Sequence, residues 1–270
     1  MESGQAADLA IFVCCCALLL GYNIFYFSVA SFTFFKRRYI ILYAVNRQSR
    51  ASWVQHLSKD SKEGINAVQT IRNQVLAVSI LAATTAPLAA QLINVITDTA
   101  KLQQVADFSK SDPISSVALF SPQIKLGIAL GILLLAVMAY AQSVRLSVHI
   151  GERVCRLRRL PLGYTIRVVA SDPTGYTGLS HLSVTLMRRS SLYFAIGLRL
   201  FFVFGPLVLW IIGPTTLLVA TLLDVAAQFL FDVVPAAACE PEPGEDDKAE
   251  AAADASAAAK ADAAAVAEHQ

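Results

Sequence analysis

An apolar block from Leu192 to Val234 constrains the fold of this chain more than any other feature. As one helix its 43 residues would measure roughly 64 Å, about twice the hydrocarbon thickness of a bilayer. The block must therefore break. We expect the break at Gly213-Pro214, because proline begins a helix more readily than it continues one. This predicts two membrane segments, at about 192–212 and 215–234.

Three further apolar runs, at about 10–35, 75–96 and 126–145, have the length of a spanning helix. The chain has 270 residues and 16% of them are charged, against roughly 25% in an average soluble domain. We therefore predict an all-α, polytopic transmembrane helix bundle over residues 1–235. It has four spans and a fifth segment, 215–234, that either crosses the membrane or lies along its interface.

The basic residues predict the orientation of this bundle. Eight Lys and Arg lie between Lys36 and Arg72, two between Asp98 and Pro122, and eight between Arg145 and Arg189. Because cytoplasmic loops carry the excess of Lys and Arg, the first and third of these segments should face the cytoplasm, with the amino terminus outside it. The segment from Lys36 to Gly64 contains Trp53 and should lie on the membrane surface.

Residues 236–270 differ from the rest of the chain in composition. From Glu240 onward there are nine acidic residues and two lysines, a charge of −7, so the remainder carries +9 to give the total of +2. Alanine favours helix, but this segment has no apolar face to bury. We expect a solvated tail that is disordered or marginally helical.

Arg199 is a permanent cation inside the fourth apolar run, where an unpaired charge is costly. It either snorkels to the cytoplasmic interface or pairs inside the bundle. The second interpretation predicts that a kink at Gly205-Pro206 bends this helix and that Arg199 shares a pocket with Asn73 and Gln142 of the second and third helices. The candidate pocket residues, contributed by three helices, are Gln69, Arg72, Asn73, Gln142, Arg145 and Arg199.

Three converging arginines without a carboxylate would repel one another, so this cluster should attract an anion. A lipid phosphate or an anionic solute suits guanidinium groups, which bind such oxygens through two parallel hydrogen bonds. The other interpretation is that the arginines only anchor helix ends against headgroups. Asp224, in the fifth segment, is also open: it is paired, protonated or on an ion path, or it faces water if that segment lies on the interface.

Sequence motifs of soluble catalysis are absent, with no GxSxG, HExxH, Walker loop or GxGxxG opening a helix. The five cysteines lack metal-ligand spacing, so Cys14, Cys15 and Cys16 should fill space on the first helix. We expect no cofactor, no metal and no nucleic-acid partner. The chain should act as a transporter, channel or scaffold whose partner is the lipid bilayer, including anionic headgroups. The alternative is an intramembrane lipid-modifying enzyme with His149 or His181 as acid–base group.

Several segments, taken in order, resemble a known membrane family. They are AVQTIRN (67–73), Thr84-Thr85, QSVR (142–145), GLR (197–199) and the stretch from Pro206 to Pro214. Together they are similar to the motifs of plant members of the family named domain of unknown function 599, which is known from plants, algae and bacteria. The resemblance covers roughly residues 8–230 and leaves the acidic tail out. It implies a multi-pass membrane protein with no established activity.

Overall fold

Helices make up most of the described part of the chain, which in this computed structural model is residues 3–34, 37–57, 64–109, 120–159 and 175–236. The helices are α1 (Ser3–Ser28), α2 (Leu42–Leu57), α3 (Gly64–Thr97), α4 (Thr99–Ser109), α5 (Pro122–Arg159), α6 (Gly175–Leu209) and α7 (Pro214–Asp232). Three strands, β1 (Ser31–Phe34), β2 (Arg37–Ile41) and β3 (Val233–Pro235), form one antiparallel sheet in the order β1-β2-β3. The predicted acidic tail lies outside the described residues.

Five of the described helices are long and apolar enough to cross a membrane, which confirms the predicted helix bundle. Their apolar segments are Ala6–Ser28, Val68–Thr97, Pro122–Ile150, Ser183–Leu209 and Pro214–Asp232. The long apolar block breaks where its sequence predicts, because α6 ends at Leu209 and α7 begins at Pro214. The fifth segment is thus a separate helix of 19 residues, and a helix of that length measures roughly 28 Å, enough to cross the hydrocarbon core.

Three helices extend well past their predicted spans. The helix α3 begins at Gly64, α5 continues to Arg159, and α6 begins at Gly175. Hydropathy marks only the lipid-embedded part of a helix, whereas these extensions pack against α2 and one another. Trp53 of α2 packs on the apolar cluster that Ile71, Ile150, Val184 and Met187 form between them. Trp53 therefore contacts protein, and the expectation that the segment from Lys36 to Gly64 lies on the membrane surface stays a prediction.

The sheet joins the end of the first spanning helix to the end of the last. The predicted first span ran to residue 35, but α1 ends at Ser28 and the next residues form β1. On the other side of β2, Ile41 pairs with Val233 and Tyr39 with Pro235. Because α1 and α7 both end at this sheet, they run in the same direction. The beginning of α1 and the end of α7 therefore lie on opposite faces of the bundle.

The helices α5 and α6 approach closely at Gly197. A Cβ atom built there would lie 2.7 Å from Cε1 and 2.8 Å from Cδ1 of Tyr140, which is fully buried. Real Cβ atoms do not approach other atoms this closely, so a side chain on Gly197 would have to push the helices apart. A Cβ atom built on Gly205, two turns further along α6, would have no neighbouring atom within 4 Å.

We expect Gly197→Ala to lower the free energy of unfolding by about 1–3 kcal/mol, because the methyl group overpacks the α5–α6 contact. The matched variant Gly205→Ala, the same change in the same helix, should stay within about 0.5 kcal/mol of the parent. Reversible denaturation in mixed detergent micelles measures both. Equal losses for the two variants would contradict the close approach at Gly197.

Candidate functional site

Arg199 is buried, with 5% of its surface exposed, and its partners come from the first and last spanning helices. Its Nη1 atom donates to Oε1 of Gln228 and its Nη2 atom to Oδ1 of Asp232, both on α7. The Tyr22 hydroxyl of α1 donates to the other oxygen of Asp232. The guanidinium carbon also lies 3.7 Å from the ring centroid of Tyr26. Arg199 thus ties α6 to α1 and α7.

This arrangement corrects the predicted pocket. Arg199 pairs inside the protein, which agrees with the second of the two interpretations of this residue, but it faces α1 and α7 and not α3 and α5. The predicted sharing of a pocket with Asn73 and Gln142 is therefore wrong. Of the other candidate residues, Gln69, Arg72, Asn73 and Arg145 are exposed and Gln142 is half buried.

The buried polar face of α5 explains why Gln142 and Arg145 do not reach Arg199. That face carries Ser143 and Ser147, one helical turn apart, and both are fully buried. The Ser143 hydroxyl donates to the carbonyl oxygen of Ser190 on α6 at 2.9 Å, and the hydroxyls of Ser147 and Ser190 lie 2.7 Å apart. Small hydroxyl side chains hold α5 and α6 together, while the larger polar ones beside them point outward.

The helix α3 shows the same pattern. Gln74, the residue after Asn73, directs its amide nitrogen to the hydroxyls of Ser147 and Ser190, 3.5 Å from each. A rotation of 100° per residue places Asn73 on a different face, where it is exposed. The polar contact from α3 to the bundle interior is therefore made by Gln74, which the sequence does not single out.

A cleft of about 310 Å³ lies beside Arg199, between α2, α6 and the end of α7. Its polar and charged lining residues are Tyr26, Tyr43, Asn46, Arg47, Arg50, Ser191, Arg199, Gln228 and Asp232. Three arginines and one carboxylate give the lining a charge of +2. The carboxylate of Asp232 is engaged by Arg199, so the charge that remains belongs to Arg47 and Arg50.

Arg47 and Arg50 have no carboxylate within ion-pair distance among the described residues. The Nη1 atom of Arg50 donates to the hydroxyl of Ser191 at 3.1 Å, a neutral partner. Burial lowers the pKa of Arg50 from its ordinary value. Burial also raises the pKa of Tyr43, and the nearby cation Arg47 opposes that rise. A partly buried cation without a counter-charge is the kind of group that an anion stabilises.

The residues that hold Arg199 have a signal in the sequence, which lies in the spacing of polar residues along α7. Asp224, Gln228 and Asp232 are spaced by four, so they form a polar stripe along one face of an otherwise apolar helix. A buried arginine needs a carboxylate, and this stripe offers two. Arg47 and Arg50 lie in a basic segment with no comparable pattern, and only the packing of α2 against α6 brings them to the cleft.

Other candidates for chemistry do not lie in this cleft. His149 is exposed on α5, and the side chain of His181 is outside the described residues. Cys15 is buried in an apolar cluster with Trp210 and Leu217, as expected for a space-filling residue. Within the described ranges, no three His, Cys, Asp or Glu side chains are grouped as metal ligands would be.

We expect Arg199→Gln and Asp232→Asn each to lower the free energy of unfolding by about 3–5 kcal/mol, since each leaves one buried polar partner without the other. Arg199→Lys should restore only part of the loss, because an ammonium group lacks the planar fork that serves Gln228 and Asp232 together. Denaturation in mixed micelles provides the measurement, and Lys101→Gln, at an exposed ion pair with Asp98, is the control that should have no effect. A fully stable Arg199→Lys variant would show that the fork is not used.

The comparisons with known proteins assign the chain to a family. A family model described as protein of unknown function, DUF599, matches residues 10–237. No curated protein and no solved structure matches the chain. The match begins inside the first apolar helix, includes the other four and the sheet, and ends before the acidic residues that start at Glu240, so this chain belongs to the DUF599 family of proteins of unknown function.

Proposed function

We propose that this multi-pass membrane protein binds the phosphate-bearing headgroup of an anionic lipid in the cleft between α2, α6 and α7. One observation carries the proposal: Arg47 and Arg50 line a cleft next to a fully paired Arg199 and have no carboxylate partner among the described residues. Guanidinium groups suit phosphate oxygens because they present two parallel donors.

The depth of the cleft favours a lipid over an anion from the bulk solution. The helix α7 spans roughly 28 Å, close to the hydrocarbon thickness. Its last residue, Asp232, lines the cleft, so the cleft lies at one edge of the hydrocarbon core. Phosphate groups of a bilayer occupy this depth. Arg47 and Arg50 are on α2, which begins at the sheet and packs against α6, where Arg50 donates to Ser191.

The rim of the cleft is apolar where it meets the membrane. Phe231 and Leu42 line the cleft and are 72% and 40% exposed. Exposed apolar side chains beside cationic ones suit a ligand that has a charged headgroup and acyl chains. A soluble anion would use the arginines and leave the apolar rim without a role.

The basic residues favour the cytoplasmic leaflet. Among the described residues, α2, which begins at the sheet, belongs to one of the two segments with eight Lys and Arg each, whereas α4, in the segment with two, contacts the opposite ends of α3 and α5. By the positive-inside rule the sheet and cleft face the cytoplasm and the amino terminus faces away from it. The cytoplasmic leaflet is also where anionic lipids attract basic groups most strongly.

The alternative function, an intramembrane lipid-modifying enzyme, has no support in the geometry of the cleft. Such an enzyme would need an acid–base group close to the bound lipid. His149 is exposed and does not line the cleft, and none of the described residues that line the cleft is a histidine. We therefore favour binding of the headgroup without a chemical step.

Lipid binding to the purified protein in an uncharged detergent tests the proposal. Native mass spectrometry should detect phosphatidic acid on the protein at concentrations where phosphatidylcholine does not bind. Arg47→Gln and Arg50→Gln should each weaken binding roughly five-fold, because an arginine near an anionic lipid contributes about 1 kcal/mol. Arg188→Gln, which removes an exposed arginine of α6 outside the cleft, is the matched control and should bind as the parent does.

Competition with inorganic phosphate shows whether the bound phosphate group belongs to a lipid or to a soluble anion. If the ligand is a lipid, inorganic phosphate should displace phosphatidic acid poorly, since it cannot contact Phe231 and Leu42. If inorganic phosphate displaced bound phosphatidic acid at the concentration at which unlabelled phosphatidic acid does, the ligand would be a soluble anion. Equal binding of phosphatidic acid and phosphatidylcholine, or equal losses for the Arg188 and Arg50 variants, would refute headgroup binding in this cleft.

A further inference from the structure

Asp224 lies near the middle of the membrane. It is ten residues after Pro214 and eight before Asp232, the first and last residues of α7, so at 1.5 Å per residue it lies about 15 Å from one end of this helix and about 12 Å from the other. Its neighbours Leu222 and Leu223 are exposed on the outside of the bundle, where acyl chains surround them. Asp224 itself is half buried. A carboxylate at this depth has little water to stabilise its charge.

Gln228 connects Asp224 to Arg199, and its orientation follows from chemistry. Arg199 can only donate hydrogen bonds, so the atom of Gln228 that faces it must be the amide oxygen. The amide nitrogen then faces Asp224 and donates to Oδ2 at 2.6 Å. Since Oδ2 accepts this hydrogen bond, a proton on Asp224 would reside on Oδ1.

The charges around Arg199 do not balance if both acids are ionised. Asp232 receives the Arg199 fork and the Tyr22 hydroxyl, so its negative charge is compensated directly. Asp224 receives only the neutral amide of Gln228 among the partners that the structure gives it. One guanidinium and two carboxylates would leave a net negative charge in the hydrocarbon core. Two acids in such different surroundings take different protonation states.

We propose that Asp224 is a proton-binding site at the centre of the membrane and that Asp232 remains the ionised partner of Arg199. The proton binds Oδ1 of Asp224, and Gln228 connects this carboxyl to Arg199 and so to the cleft. Binding or release of this proton changes the charge of the network. It does not require a lipid in the cleft.

The charged and titratable groups packed around Asp224 come from three helices. Arg199 of α6 is the cation that acts on it. Asp232 lies two turns further along α7, and Tyr22 of α1 is bonded to Asp232. Cys15 of α1 lies near Thr221, one turn before Asp224. No cation among the described residues forms an ion pair with Asp224.

A hydrophobic carbodiimide tests the proposal, because such reagents dissolve in the bilayer and react with protonated carboxyl groups there. Full-length protein in phosphatidylcholine vesicles is treated at a series of pH values, and the labelled residue is identified by peptide mass spectrometry. We expect Asp224 to be labelled, with less label as the pH rises, and Asp232 to stay unlabelled. Asp98, an exposed acid outside the spans, is the internal control and should react only with a water-soluble carbodiimide.

Infrared spectroscopy gives a second readout that needs no reagent. The parent should show the C=O stretch of a protonated carboxylic acid, which disappears at high pH and is lost in Asp224→Asn. The proposal would be overturned if the reagent labelled Asp232 in place of Asp224. It would also be overturned if, at every pH, the parent protein showed neither label on Asp224 nor the acid band. If the Asp224→Asn variant does not fold, the residue-resolved labelling of the parent decides.

Discussion

The ion pair between Arg199 and Asp232 is the interaction on which the rest of this structure depends. Burying two charges in a membrane protein is favourable only when their geometry and remaining hydrogen bonds are satisfied. Here Gln228, Tyr22 and the ring of Tyr26 complete the shell around the pair. These residues come from α1, α6 and α7, so one paired arginine fixes three spanning helices at a common depth.

The position of Asp232 in the chain extends this constraint beyond the helices. It is the last residue of α7, and the next three residues form β3, which pairs with β2. The strand β2 leads directly into α2, which carries Arg47 and Arg50. The ion pair therefore fixes one wall of the cleft and, through the sheet, the start of the opposite wall.

Within the cleft the arginines have separate roles. Arg199 is paired with Asp232 and stabilises the fold, whereas Arg47 and Arg50 line the cleft and remain available to bind a ligand. This division follows from electrostatics: a guanidinium already neutralised by a buried carboxylate gains little from a second anion. On the far side of Gln228, Asp224 extends the same polar network toward the middle of the membrane.

The sequence predicts the helices of this fold better than their contacts. Apolar length and the Gly213-Pro214 pair are local properties, so the spans and the break in the last block follow from them. The direction in which Arg199 points is not local, because its partner Asp232 is 33 residues away and on another helix. Helical spacing groups residues on a face but does not say which neighbour that face meets. For this reason the sequence predicts Asn73 and Gln142 as partners of Arg199, which is wrong, and does not point to Arg47 and Arg50.

A structure determined experimentally in lipid nanodiscs that contain phosphatidic acid tests this account most directly. We expect density for a phosphate group next to Arg47 and Arg50, with the Arg199 guanidinium still bonded to Gln228 and Asp232. A phosphate bound to Arg199 with Asp232 displaced, or an Arg199 side chain extended into the headgroups of the surrounding bilayer, would contradict it.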